Sequence, residues 1–285
     1  MSDTYTNPRV LTPPEFGPKE LLIGGSGTGK THSLQTALLP GMNLLGLFTE
    51  PGMETLGHIS CAQGLHFRYI PPAALSWDQM KNAGNMLNTM SNKSLQDMAG
   101  IDKDKFRQWL DMITDMGNFK CQRCAKTFGA LDKVGPDCVV FNDSLSGLAL
   151  MSANLVTGAK PIKTQPDWGV MMDNLERYIQ MFCTSIPTMA IMTAHTEREI
   201  DEVAGGTFIM AGSLGRKLSP KLPRFFSDVV LAQRNGTVFE WSTATPQVDL
   251  KARNLEIKEK ITPNFAPILQ KWHARIGFSL PKTTT

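Results

Sequence analysis

No apolar run in this 285-residue sequence approaches the roughly 20 residues that cross a bilayer, so no membrane-spanning helix is expected. Its first stretch, MSDTYTNPRVLTPPEFGPKE, lacks the basic start and apolar centre of a secretion signal. Five cysteines are few for a chain of this length. Without an export signal they point to a reducing cytoplasm rather than a disulfide framework. Neither sign of charge prevails: 29 Lys and Arg stand against 26 Asp and Glu, a net charge of +3. That is too little to argue for nucleic acid or an anionic membrane as partner from bulk charge. No internal repeat and no low-complexity segment appears, and only the two tips read as loose. What remains, 41% hydrophobic, suffices for one large α/β core with a small insertion.

Within that core one stretch is decisive. LLIGGSGTGKTHS, residues 21–33, fills the spacing G-x-x-x-x-G-K-[ST] with Gly24, Gly29, Lys30 and Thr31. An apolar run precedes it and a helix-compatible run, Thr31 to Leu39, follows, which is the strand–loop–helix setting of a phosphate loop. Gly24, Gly25, Ser26, Gly27, Thr28 and Gly29 are expected to turn backbone N–H groups inward on an anion. Lys30 is expected on the β- and γ-phosphates of ATP, with the Thr31 hydroxyl on Mg²⁺.

Further strands are expected at Met42 to Phe48, Leu65 to Ile70, in PDCVVFNDS and in TMAIMTAH. Helices are expected after Ser76, with Met80, Ala83, Leu87 and Met90; along Phe106, Trp109, Leu110, Ile113 and Met116; and along Met171, Leu175, Tyr178, Ile179 and Phe182. Late in the chain FSDVVLAQ, NGTVFEWST and VDLKARN read as consecutive β segments, with Asn235-Gly236 a hairpin turn between the first two. Strands alternating with helices predict a mostly parallel sheet with an antiparallel extension toward its C-terminal side.

Asp143 ends a buried run and suits the second metal-side carboxylate, holding Mg²⁺ through water; an Asp capping the next turn is the bland alternative. Glu50 follows a strand directly and can orient or deprotonate an attacking water, or can be a solvated turn residue. His195, at a strand end, can hydrogen-bond a γ-phosphate or simply be a satisfied histidine. Cys121-x-x-Cys124 is half of a zinc ribbon. Only His58, Cys61 and His66 offer a remainder within this chain, and an ordinary pair of loop cysteines fits the sequence as well.

The order of GGSGTGKT, LFTE, VVFNDSLSG, DWGVMMDNLE, MTAH, LGRKLSPKLPRFFSDVVLAQ and LKARN resembles a RecA-like phosphate-loop ATPase core, from about Lys19 to about Asn254. It is most similar to the phage-encoded RecA-like single-strand annealing and recombinase ATPases. The resemblance implies that Glu50 activates water and that His195 senses the γ-phosphate, at a position where Gln is commoner. It implies that Lys251 and Arg253 of KARN act as fingers in a neighbouring subunit's ATP site, and therefore a homo-oligomer, ring or filament. It also implies single-stranded DNA as partner, met by loops after Asp143 and after His195. Lys160 and Lys163 lie in the first of these; the second begins with Glu197, Glu199, Asp201 and Glu202 and turns basic at Arg216, Lys217, Lys221 and Arg224.

The expected layout is an arm at 1–18, an ATPase domain at 19–275 with an insertion at about 76–130, and a flexible tail at 276–285. A cytoplasmic location is expected, that of the host if the chain is phage-encoded. Competing readings are a helicase or translocase motor on the same core, a small-molecule kinase, and a nucleotide-gated regulator or assembly factor that binds protein rather than DNA. The kinase reading leaves the Asn235-Gly236 hairpin and KARN without a use.

Overall fold

Leucine- and valine-rich runs too short for helices become strands that share one sheet. The computed structural model describes residues 3–100, 102–200, 206–214 and 217–280. In chain order the central strands are β1 (Lys19–Ile23), β2 (Asn43–Phe48) and β3 (Leu65–Tyr69). After the hairpin β4 (Phe119–Lys120) and β5 (Thr127–Gly129) come β6 (Cys138–Asp143) and β7 (Met189–Ala194). A second hairpin, β8 (Thr196–Ile200) and β9 (Thr207–Ala211), precedes β10 (Asp228–Asn235) and β11 (Val238–Ser242). The main sheet runs β11-β10-β1-β7-β6-β2-β3. All its pairings are parallel except β10 with β11.

The phosphate-loop strand β1 and the Asp143-bearing β6 are thus separated by β7, the strand that leads to His195. That order, with a C-terminal antiparallel hairpin, makes the fold α/β and RecA-like. Strands buried on both faces carry near-continuous apolar sequence, as in CVVF and MAIM, because helices cover both sides of a parallel sheet. On one face α4 (Gln108–Gly117), α5 (Leu145–Thr157) and α6 (Gln165–Ser185) pack over Leu21, Ile23, Val140 and Met192. On the other, α1 (Lys30–Leu34) and α7 (Ala266–Ile276) pack over Leu22, Leu44, Val139 and Ile191.

Local signals act as the residues suggest. Thr164 and Asp167 form a reciprocal cap at the start of α6, and Met171, Leu175, Tyr178, Ile179 and Phe182 are its buried face. Gly236 supplies the positive φ, 60°, that the hairpin turn requires. Tyr5 in the N-terminal arm donates from its hydroxyl to Asp137 at 2.6 Å, which ties residues 3–18 to the domain.

Several expectations are corrected. The helix after Ser76, α2 (Trp77–Thr89), forms with its reciprocal Ser76–Gln79 cap, yet none of its residues is buried. In α4 the buried positions are Trp109, Met112 and Asp115, whereas Leu110 and Ile113 face outward. Asp115 goes inward because Arg68 on β3 pairs with it at 2.7 Å. The helix at Thr31 stops at Leu34 and continues as a 3-10 turn, Gln35–Ala37. VDLKARN forms no strand, only isolated bridges of Val248 to Ile209 and of Lys251 to Val229. The latter sits where β11, paired with Leu231 to Asn235, leaves the start of β10 uncovered.

Candidate active site

Parallel strands deliver their C-terminal ends to one edge of a sheet, and here that edge gathers residues far apart in sequence. The loop after β1 bends through positive φ at Gly27 (72°) and Gly29 (83°) before α1 begins. The N–H groups of Gly27, Thr28 and Gly29 meet no protein acceptor among the described residues. The loop therefore presents the inward donors that an anion needs. Gly29 is required twice over: besides its φ, a Cβ there would stand 2.9 Å from Cδ1 of Phe239. Lys30 is buried and donates to the carbonyls of Gly24 and Gly25, each at 2.8 Å. Burial lowers its pKa, and the carboxylates of Asp143 and Glu50 oppose that shift.

Thr31 donates to Oδ2 of Asp143 at 2.6 Å, and Thr193 on β7 donates to Oδ1. Asp143 is more than nine-tenths buried. Burial raises its pKa against the hydroxyl bonds from Thr193 and Thr31 and the charge of Lys30. A sunken carboxylate beside a threonine hydroxyl, facing the open end of the phosphate loop, is an all-oxygen donor set suited to Mg²⁺. Glu50 continues from β2, and Phe48 lies level with Asp143 in the sheet. Its Oε2 accepts from the Ser144 hydroxyl at 2.6 Å and lies 3.4 Å from Nε2 of His195. The hydrogen bond with His195 holds the Glu50 carboxyl below its ordinary pKa, aided by Ser144 and Lys30, while burial pulls the other way.

These groups line one cleft of about 530 Å³, from Ser26 to His32, with Glu50, Asp143 and His195 on one side and Arg234 and Phe239 on the other. The structure thus brings together Lys30, Thr31, Glu50, Asp143 and His195. Sequence reasoning missed Thr193, Arg234 and Phe239. Thr193 carries no motif, being one more residue in an apolar strand. The hairpin signal at Asn235-Gly236 does pair Arg234 with Phe239, but only the packing of β10 on β1 brings Phe239 against Gly29 and both residues to the cleft.

Other candidates lie elsewhere. Lys251 is level with Leu21, midway along β1, and Arg253 lies nearer the start of that strand, away from the phosphate loop. Nζ of Lys251 donates to the carbonyls of Pro223 (3.0 Å) and Phe226 (2.6 Å). Arg253 is exposed, and its backbone N–H bonds to Asp228 at 2.6 Å. Of the residues expected on DNA, Lys160 is buried and its ammonium pairs with Asp167 at 3.1 Å. Lys221 and Arg224 both pair with Glu176. Lys163 and Lys217 are exposed, and Arg216 lies outside the described residues. The segment expected as the first DNA loop is helical to Thr157 and again from Gln165, leaving 158–164 between them. Cys121 and Cys124 are met by Cys61 and His66, at the β3 edge of the sheet.

No protein-family model matches the sequence, and no curated protein matches it. Among solved structures the chain is similar to the RadB recombinase at 12% identity, covering 87% of this chain and 90% of that one, with a TM-score of 0.36. It is also similar to EscN, the type III secretion ATPase of enteropathogenic E. coli, at 15% identity, covering 76% of this chain and 43% of that one, with a TM-score of 0.34. A third is a prototypical type III secretion ATPase from pathogenic bacteria, at 14% identity, covering 79% and 54%, with a TM-score of 0.33. The chain spans about half the length of these two secretion ATPases. Among the described residues no helix is long and apolar enough to cross a membrane.

Proposed function

We propose that this chain is an ATP-hydrolysing RecA-like ATPase that works as an oligomer on single-stranded DNA, in annealing or strand exchange. The observation that carries the hydrolytic part is the meeting of Glu50, Ser144 and His195 beside the Thr31–Asp143 pair in one cleft. The loop N–H groups receive the phosphates, and Lys30 turns from the Gly24 and Gly25 carbonyls to the β- and γ-phosphates. Thr31 and Asp143 are the residues that hold Mg²⁺, which when bound supplies charge neutralisation of the phosphates. Glu50, ionised and aimed by Ser144, accepts the proton of the attacking water. His195 reads the terminal phosphate. Its own carbonyl accepts from Gly212 at 2.6 Å, and β8 begins at the next residue, so a shift of His195 moves the β8–β9 hairpin.

Arg253, exposed and remote from its own cleft, acts on a neighbour's in this reading. Lys163 and Lys217 are the exposed cations offered to a phosphate backbone, whose contribution falls with salt. A second reading, a nucleotide-gated regulator that binds protein, is favoured by one observation. Glu197 and Glu199 lie on β8, while Lys160, Lys221 and Arg224 are already paired with acids.

The experiment is ATP turnover with and without single-stranded DNA, over a range of protein concentrations and salt. Stimulation that rises with both DNA and protein supports the first reading. In that case Lys163→Ala and Lys217→Ala are each expected to reduce the slope of log affinity against log salt by about 1. Turnover that rises with protein and ignores DNA transfers the site to the second reading. No turnover under any condition removes the ATPase proposal.

A further inference from the structure

At the edge of the sheet, remote from the ATP cleft, four side chains that bind soft metals converge from three separate segments. Cys61 opens the 3-10 turn Cys61–Gln63, His66 sits on β3, and Cys121 and Cys124 lie in the turn between β4 and β5. One ligand atom from each lies within 4.8 Å of all the others. Sγ of Cys61 and Sγ of Cys121 are 3.8 Å apart, and Sγ of Cys124 is 3.5 Å from Nδ1 of His66. Around a tetrahedral zinc with Zn–S of about 2.3 Å and Zn–N of about 2.0–2.1 Å, adjacent sulfurs stand about 3.8 Å apart and sulfur–nitrogen pairs about 3.6 Å apart. Both observed separations match the edges of that tetrahedron. A disulfide does not match them, since its sulfurs stand about 2.05 Å apart.

The local backbone is shaped to the same end. The N–H of Ala125 bonds to the carbonyl of Cys121 at 3.0 Å, and the N–H of Cys121 to the carbonyl of Lys126 at 2.9 Å, which closes a tight turn with both sulfurs on its inner side. Ala125 is held at a φ of 60° to allow this, in the left-handed region that non-glycine residues seldom adopt. The His66 ring is held against Phe128, with centroids 4.7 Å apart. Cys121 and His66 are buried and Cys124 is exposed, so the cluster is fixed from within and reachable from solvent.

We propose that Cys61, His66, Cys121 and Cys124 bind one zinc ion as a closed, structural Cys₃His site. Four protein ligands leave no position for a substrate, which separates such a site from a catalytic zinc. Its place in the fold says what it does. The zinc joins the β2–β3 connection and edge strand β3 to the β4–β5 hairpin. That hairpin also holds the N-terminal arm, through the Tyr5 N–H to the Thr127 carbonyl (2.8 Å) and the Thr127 N–H to the Asp3 carbonyl (3.0 Å). The protein's own ties across the same junction are the Gln122 N–H to the Phe67 carbonyl (2.8 Å) and Arg123 to the Ile59 carbonyl (2.6 Å), and the zinc adds a cross-link to a hairpin of two short strands.

The test is zinc content of the full chain, purified under reducing conditions without metal-chelate chromatography. About one zinc per chain is expected in the wild type and in His58→Ala, whose histidine is exposed and outside the cluster, and none in Cys124→Ser. Loss of zinc should speed proteolysis within residues 119–129 while nucleotide binding persists. The wild-type protein refolded with Co²⁺ alone should show the visible bands of a tetrahedral ion and a strong sulfur-to-metal charge-transfer band. That measurement decides the matter even if Cys124→Ser fails to fold. A zinc-free wild type whose Co²⁺ form is colourless, zinc retained in Cys124→Ser, or a freshly purified chain with Cys61 and Cys121 joined as a disulfide each overturns the proposal.

Discussion

Glu50 and His195 stand at the ends of β2 and β7, two strands with β6 between them, yet their side chains meet at 3.4 Å over the mouth of the phosphate loop. The contact couples the base proposed for hydrolysis to the residue proposed to sense its progress. Ser144, following the strand between them, holds the same Oε2 of Glu50.

Replacing Glu50 by Gln keeps the shape and the Ser144 bond while removing the proton acceptor. Nucleotide affinity is expected to stay near wild type and turnover to fall by about 10²–10⁴-fold, the usual worth of a positioned base. Single-turnover kinetics beside equilibrium binding separates the two quantities, and unchanged turnover removes Glu50 from the mechanism.

Lys251 and Arg253 share the KARN element but are expected to behave differently. Lys251→Ala leaves the carbonyls of Pro223 and Phe226 without their donor. It should lower stability by ~1–3 kcal/mol, read in a melting curve. Arg253→Ala should leave the melting temperature in place and lower turnover only at concentrations where subunits assemble. Wild-type rates for Arg253→Ala at every concentration would exclude a finger in trans.

Arg234 lines the cleft beside Phe239, with its guanidinium 5.7 Å from that ring. As a cation lining the cleft in the same subunit, its Nε bonded to the Gly236 carbonyl at 2.8 Å, it should strengthen nucleotide binding by about one charge-assisted hydrogen bond. Arg234→Ala is then expected to weaken ATP binding about tenfold, with kcat much less affected. A kcat collapse at constant affinity would place Arg234 on the transferring phosphate instead.

Glu20 on β1 is wholly buried, and neither carboxyl oxygen meets a hydrogen-bond partner among the described residues. Burial first, and then the neighbouring Asp228 carboxylate, raise its pKa well above the ordinary value, with Lys19 opposing. Asp228 itself accepts from the N–H groups of Arg253 and Asn254 and from the Asn254 side-chain amide. An acid whose folded-state pKa is raised favours folding fully below its unfolded pKa, and that contribution is lost as pH climbs toward the folded value. Glu20→Gln, neutral throughout, is therefore expected to melt above the wild type at about pH 8 and to lose that advantage as pH falls toward about 4.5. Parallel melting curves at all pH values would show that Glu20 does not titrate with folding.

The sequence by itself determined the phosphate loop, because Gly24 to Thr31 are contiguous and their spacing alone encodes the strand–loop–helix turn. It also determined most strands and the inner face of α6, since burial on both sides of a parallel sheet writes apolar runs and burial on one side of a helix writes a 3.6-residue period. The strand-end positions of Glu50, Asp143 and His195 were legible for the same reason. What they touch was not. That Glu50 meets His195, that Phe239 meets Gly29, and that Cys61 and His66 meet Cys121 and Cys124 depend on strand order, and pairing between distant strands leaves no local trace in the chain. The same limit explains Lys160, whose charge reads as a surface cation until the fold buries it beside Asp167. It also explains α2, where apolar periodicity promised a buried face and tertiary packing buries none of its residues.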